Sequence, residues 1–218
     1  EMISHIPMNY HKNPQDILVI GGGDGGTIRE LVKYPGVKSV TLCEIDKMVV
    51  DASIKFFPHV SKELDNDKVT VKIGDGIDFV KKQENRFDII LVDSTDPIGP
   101  GEGLFTKEFY QGVSKALKPD GIVALQSESP WYRPEILTRI QKNVSSAFPI
   151  IKPYIAPIPT YPRGLWSWTM ASHKESNFVN PDLARFAEIQ KDLKFLTESQ
   201  LKNVFDIPPF FRDKLKQK

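Results

Sequence analysis

Residues 16–20, Asp-Ile-Leu-Val-Ile, run straight into the cluster Gly21-Gly22-Gly23-Asp24-Gly25-Gly26, and a helical pattern over residues 27–33 follows at once. A short apolar run, a glycine turn and a helix in immediate succession form the entry unit of a parallel α/β sheet. The unit recurs. Residues 39–43 read as a second strand ending at Glu44-Ile45-Asp46, with a helix over 47–57, and residues 69–73 as a third before Gly74-Asp75-Gly76. Residues 87–92 give a fourth strand ending at Asp93, residues 107–116 a helix, and residues 121–126 a fifth strand. The expected fold class is therefore α/β, with a mostly parallel, doubly wound sheet. Farther on, a helix over 134–148 precedes strands 151–156 and 165–172 around a proline-rich loop, which predicts a closing hairpin and an antiparallel strand at one sheet edge. Residues 181–193 and 198–204 are amphipathic helical stretches. With no repeat, low-complexity segment or linker, residues 1–218 read as one domain.

In such sheets the ligand crevice lies beyond the carboxyl ends of the strands. Acidic residues stand at or just after four successive strand ends: Asp24, Glu44, Asp75, and Asp93 with Asp96. A single carboxylate there is commonly a helix cap or turn former. Four in register along one rim point instead to a site for positively charged ligands.

Composition removes several classes of partner. Lys and Arg number 29 against 28 Asp and Glu, a net charge of +1, so no clustered basic excess marks a nucleic-acid surface. Cys43 is the single cysteine, which leaves no intrachain disulfide and no Cys-based zinc site, and fits a reducing, cytoplasmic setting. It reads as an inert, buried thiol. No apolar run approaches the roughly 20 residues of a membrane span. Residues 1–5 are not a signal peptide; they read like the middle of a helix, so a longer chain is expected to precede them. His5, His11, His59 and His173 lack ligand spacing and read as surface residues.

The glycine turn lets a ligand approach the backbone closely, and by itself serves NAD, FAD, S-adenosylmethionine or packing alone. Glu44, about 20 residues farther on, supplies an acceptor for ribose hydroxyls. Asp24 inside the turn narrows the choice. A carboxylate there repels the pyrophosphate or amino-acid carboxylate that a helix N-terminus ordinarily attracts, and favours an ammonium group. That suits an adenosyl sulfonium whose tail has lost its carboxylate. Asp75 is placed either to accept from an adenine amine or to cap a helix. Asp93-Ser94-Thr95-Asp96-Pro97-Ile98-Gly99-Pro100 sets two carboxylates around a turn stiffened by prolines. Alkylation of an amine needs a base to strip the ammonium proton and a charge to hold the amine in line; Asp93 is the natural base and Asp96 the positioning anion. The pair could otherwise bind a divalent metal, but no further carboxylate, Asn or His clusters beside the loop. Tyr161, in Thr160-Tyr161-Pro162-Arg163-Gly164, offers a hydroxyl to an amine and a ring to its methylenes, or simply packs on proline. Trp131, Trp166 and Trp168 are equally core or rim residues.

Residues 20–26 with Arg29-Glu30, Cys43-Glu44-Ile45-Asp46, Gly74-Asp75-Gly76, residues 93–100, Leu104-Phe105 and Pro159-Thr160-Tyr161-Pro162 together resemble the successive signatures of spermidine synthases, over residues 1–172. The resemblance implies a methyltransferase-like Rossmann fold. It also implies aminopropyl transfer from decarboxylated S-adenosylmethionine to putrescine, giving spermidine and methylthioadenosine with no metal and no further cofactor. It makes Asp93 the proton acceptor, and places Asp24, Asp93, Ser94, Asp96 and Tyr161 on the diamine or aminopropyl chain. Gly21, Gly22, Glu44, Ile45, Asp75, Gly76 and Pro100 fall to the nucleoside, and a cytoplasmic homodimer or homotetramer is implied. Two alternatives stand beside it. A putrescine N-methyltransferase would use intact S-adenosylmethionine, against which Asp24 argues; a non-catalytic polyamine- or nucleoside-binding homologue would not need Asp93. Three departures from the family pattern are visible. The small N-terminal β domain, and a Gln and a Tyr-His pair just before position 1, are absent, which implies weak or no activity for these residues alone. Arg163 replaces a small residue beside the amine site and is expected to point outward. Leu201 stands where a His is usual.

Overall fold

The computed structural model describes residues 1–95, 97 and 99–216, without the side chains of Pro100, Pro162, Lys214 and Lys216. Its strands are β1 (Asp16–Gly21), β2 (Ser39–Glu44), β3 (Val69–Ile73), β4 (Phe87–Asp93), β5 (Leu117–Gln126), β6 (Ile150–Pro157) and β7 (Leu165–Ser172). Helices α1 (Met2–Tyr10), α2 (Gly26–Leu31), α3 (Lys47–Phe56), α4 (Pro58–Ser61) and α5 (Gly76–Lys81) come from the first half. Helices α6 (Lys107–Ala116), α7 (Pro134–Val144), α8 (Leu183–Ile189), α9 (Glu198–Lys202) and α10 (Pro209–Lys216) follow. The sheet order is β3-β2-β1-β4-β5-β7-β6. The pairs among β1 to β5 are parallel, and β7 is antiparallel to both its neighbours. The reversed strand thus lies between β5 and the edge strand β6. The chain crosses over through α7, lays β6 one slot away, and turns back to fill the gap.

The central strands are apolar on both faces because each face is covered. Ile17 and Val19 join one core with Met2, Ile6, Ile28, Leu31 and Phe186, while Leu18 and Ile20 join the other with Val80, Phe109, Val113 and Ile140. Helices α1, α2 and α8 therefore back one face, and α5, α6 and α7 the other. Leu201 is fully buried in the first core, where its carbonyl accepts the Tyr10 hydroxyl at 3.0 Å. The departure from His at this position places an apolar side chain in packing.

Several helix ends differ from the sequence expectation, two of them for a visible reason. The helix over 134–148 stops at Val144, where the hydroxyls of Ser145 and Ser146 turn back to the carbonyls of Lys142 and Asn143. The stretch over 181–193 begins its helix only after Asp182, whose side chain accepts the Arg185 N–H at 2.9 Å and caps it. His5 and His11 are buried, contrary to their reading as surface residues. All nine residues of α1 are buried, and His5, Asn9 and Tyr10 find hydrogen-bond partners inside the protein, while the Ser4 hydroxyl has none among the described residues.

His5 shows what that pairing holds. Its Nδ1 lies 2.8 Å from the Tyr34 hydroxyl and its Nε2 3.0 Å from Glu30, which also accepts from Arg29 and Lys33. Removing the carboxylate would leave a buried imidazole and two cations without their acceptor. Glu30→Ala is expected to cost about 2 kcal/mol, read as a drop in Tm of about 4–8 °C by calorimetry. A drop under about 1 °C would show that the network carries no net stability.

Candidate active site

The parallel register delivers the strand ends to one rim. Gly21 pairs with Asp93 across β1 and β4, Ile20 with Cys43 across β1 and β2, and Glu44 with Ile73 across β2 and β3. A crevice of about 1070 Å³ opens there. Asp24, Glu44, Asp75 and Asp93 all line it, together with Gly21, Gly22, Ile45, Gly76, Ser94 and Tyr161. Asp96 lies outside the described residues, and so does the side chain of Pro100, whose backbone belongs to a short 3-10 turn over Gly99–Phe105.

The glycines are there because the turn is tight against the neighbouring strand. Gly21 and Gly22 have φ of +77° and +67°, and a Cβ on Gly21 would meet the Asp93 carbonyl oxygen at 2.4 Å. Gly23 sends its N–H to Glu44 Oε2 at 3.1 Å, while Asp46 sends its own to Oε1 at 3.0 Å. Buried Glu44 is thus fixed by the backbone of two turns on the crevice wall. Asp75 caps α5, whereas Asp24 stands one residue before Gly25, the N-cap of α2, and closes the turn leading into it. Asp24 Oδ1 accepts the Gly26 N–H at 2.8 Å and Asp75 Oδ1 the Ile77 N–H at 2.7 Å, and both side chains remain exposed at the rim. The capping reading therefore holds for Asp75 and not for Asp24, and both side chains face the crevice.

Asp93 is the carboxylate whose surroundings matter most. Thr27 Oγ1 donates to its Oδ2 at 2.6 Å. Burial pushes the Asp93 carboxyl above its ordinary value; the Thr27 hydrogen bond opposes this, and the charges of Asp24 and Glu44 add to it. A carboxylate held reluctant to ionise among like charges is a group that can accept a proton. Cys43 also lines the crevice, but burial first, then Asp75 and Glu44, push its thiol up to about 11, which bears out its reading as inert.

Several lining residues carried no strand-end carboxylate to betray them. Gln126 ends β5 and donates to the Thr95 carbonyl at 3.3 Å, tying the loop after β4 to the next strand. The strand-end rule that found the acids could have found it. Trp166 and Trp168, two apart on β7, are 5% and 7% exposed, so each is core and crevice wall at once. Tyr161 is half-exposed, its ring 4.2 Å from that of Trp166. Arg163 turns outward as expected, its guanidinium 5.6 Å above the Tyr132 ring and outside the crevice lining.

Among the described residues one group, His11, Asp88 and Asp120, is compact enough for a metal ion. It lies at the opposite edge of the sheet, near the starts of β4 and β5. Asp88 is already paired with Lys118 at 3.0 Å, and His11 Nδ1 accepts the Asn13 N–H, which leaves the hydrogen on Nε2. Among the described residues no helix is long and apolar enough to cross a membrane.

Residues 1–181 match the sequence model of the spermine/spermidine synthase domain. The chain belongs to the spermine/spermidine synthase family. A polyamine aminopropyltransferase of Bacillus subtilis (strain 168) is 46% identical over 216 residues, covering 99% of this chain and 77% of the relative. One from Thermoanaerobacter pseudethanolicus is 45% identical over 214 residues, covering 98% and 76%. Among solved structures, a spermidine synthase in complex with the transition state analogue AdoDATO superposes with a TM-score of 0.95 at 38% identity, covering all of this chain and 75% of that one. The spermidine synthase from Thermotoga maritima gives 0.93 at 37%, covering 100% and 74%. The family's methyltransferase-like α/β sheet, with antiparallel pairing at one edge, is the fold described above.

Proposed function

We propose that the protein transfers an aminopropyl group from decarboxylated S-adenosylmethionine to putrescine, yielding spermidine and methylthioadenosine. The observation that carries the reading is the convergence of Asp24, Glu44, Asp75 and Asp93 on one crevice, with Asp93 half-buried and its carboxyl raised. Both reactants are cations that repel each other, and a wall of carboxylates offsets that repulsion. Glu44 holds the ribose and Asp75 and Gly76 the adenine, with Gly21, Gly22, Ile45 and Pro100 against the nucleoside. Asp24, Ser94, Asp96 and Tyr161 hold the amines. Asp93 takes the proton from the attacking ammonium. The nitrogen then bonds to the aminopropyl carbon as the carbon–sulfur bond breaks, and its electron pair returns to sulfur, leaving the neutral thioether. The sulfonium activates the carbon, so neither metal nor further cofactor enters a step. Residues 1–218 form one catalytic domain, and the resemblance implies a cytoplasmic homodimer or homotetramer.

Product identification by mass spectrometry tests the reading. The complete protein given the decarboxylated donor and a panel of diamines is expected to make spermidine from putrescine. A methylated diamine from intact S-adenosylmethionine would establish an N-methyltransferase instead, and binding without any product a non-catalytic homologue. Asp24 supplies a second prediction. Its charge favours the donor's ammonium and repels a carboxylate, so Asp24→Asn should narrow the preference for the decarboxylated over the intact donor by about tenfold or more. Competitive displacement of labelled methylthioadenosine measures it; an unchanged preference would remove Asp24 from donor selection.

A further inference from the structure

We propose that Thr27 is the positioning residue for the proton acceptor: its hydroxyl holds Oδ2 of Asp93 and leaves Oδ1 to receive the proton. The inference rests on Asp93 being that acceptor. Thr27 lies in the first turn of α2, 66 positions from Asp93 in sequence, and is 6% exposed. Its 2.6 Å contact falls in the range of a hydroxyl bonded to an ionised carboxylate. Among the described residues it is the one side-chain donor to Asp93. The same oxygen is walled on another side by the turn, since a Cβ on Gly22 would lie 2.9 Å from it. Thr27 and the glycine turn thus occupy two sides of Oδ2, while among the described residues no side chain donates to Oδ1, so the two oxygens divide between anchoring and chemistry.

The bond also sets where the base works on the pH scale. Burial disfavours the ionised form, and Asp24 from the β1–α2 turn and Glu44 from the end of β2 do the same; Thr27 acts against them. A donor to the charged form lowers the pKa, so removing it raises the pKa and moves ionisation to higher pH.

Single-turnover rates against pH separate this role from packing. Thr27→Val keeps the branched shape and loses the donor. Its ascending limb is expected about one pH unit higher than that of the parent, so the rate below the limb falls about tenfold. Thr27→Ser, which restores the donor, is expected to return the limb to its original position. Should the valine variant not fold, Thr27→Ala carries the same expectation. A rate lowered equally at all pH values, with the limb unmoved, overturns the Thr27 proposal; so does failure of the serine variant to restore the limb. In both cases the role of Asp93 stands as long as Asp93→Asn is inactive. Full activity of Asp93→Asn refutes the acceptor itself, and Thr27 falls with it.

Discussion

Asp93→Asn is expected to lower aminopropyl transfer by about a thousandfold while changing the affinity for methylthioadenosine by less than about threefold. The amide keeps the shape of the side chain and can still accept the Thr27 hydroxyl, so the sheet edge and nucleoside wall stay in place. What it loses is the capacity to take a proton. Glu44 and Asp75, which face the nucleoside in the proposed arrangement, are held by backbone N–H groups independent of Asp93. Rapid-quench single turnovers measure the chemistry and titration calorimetry the binding. Turnover retained within tenfold would show that another group removes the proton. Since Asp93 titrates above the ordinary carboxylate value, the parent rate is expected to rise with pH on a limb above about 4.

Gly21→Ala is expected to damage stability and activity together. A methyl group there would meet the Asp93 carbonyl at 2.4 Å, and the backbone at φ +77° is one that alanine resists. The obstacle is backbone at the β1–β4 register pair Gly21↔Asp93, so relief requires the strand ends to part. Strain and displacement together are expected to cost about 3 kcal/mol, lowering Tm by about 6–12 °C, with transfer reduced at temperatures where the variant is folded. Gly36→Ala is the matched control. Nothing lies within 4 Å of its added carbon and its φ is not positive. Its Tm is expected to stay within about 2 °C of the parent. Equal behaviour of the two variants would mean that the turn does not depend on its close approach to Asp93.

Most of the fold was legible because its signals are local. Apolar runs of strand length, each closed by glycine or a carboxylate and followed by a helical pattern, located β1 to β4 to within a residue or two. The helix ends after Val144 and before Leu183 were less legible, because short polar side chains at residues 145, 146 and 182 compete for the backbone there. His5 was misread because a helix buried on every side has no polar face to expose its orientation.

The chain by itself determined where the acids would be. In a parallel sheet every strand runs the same way, so a carboxylate at the end of each strand must reach the same rim, whatever the details of packing. Tertiary structure alone decided which side chains meet across that rim. The Thr27–Asp93 bond spans 66 positions, and the walls formed by Gln126, Trp166 and Trp168 come from two strands paired antiparallel. Those encounters depend on strand register and on the rotation of α2 against the sheet, which no local spacing encodes. The raised carboxyl of Asp93 follows from the same packing, because desolvation exists only once the crevice has closed around the group.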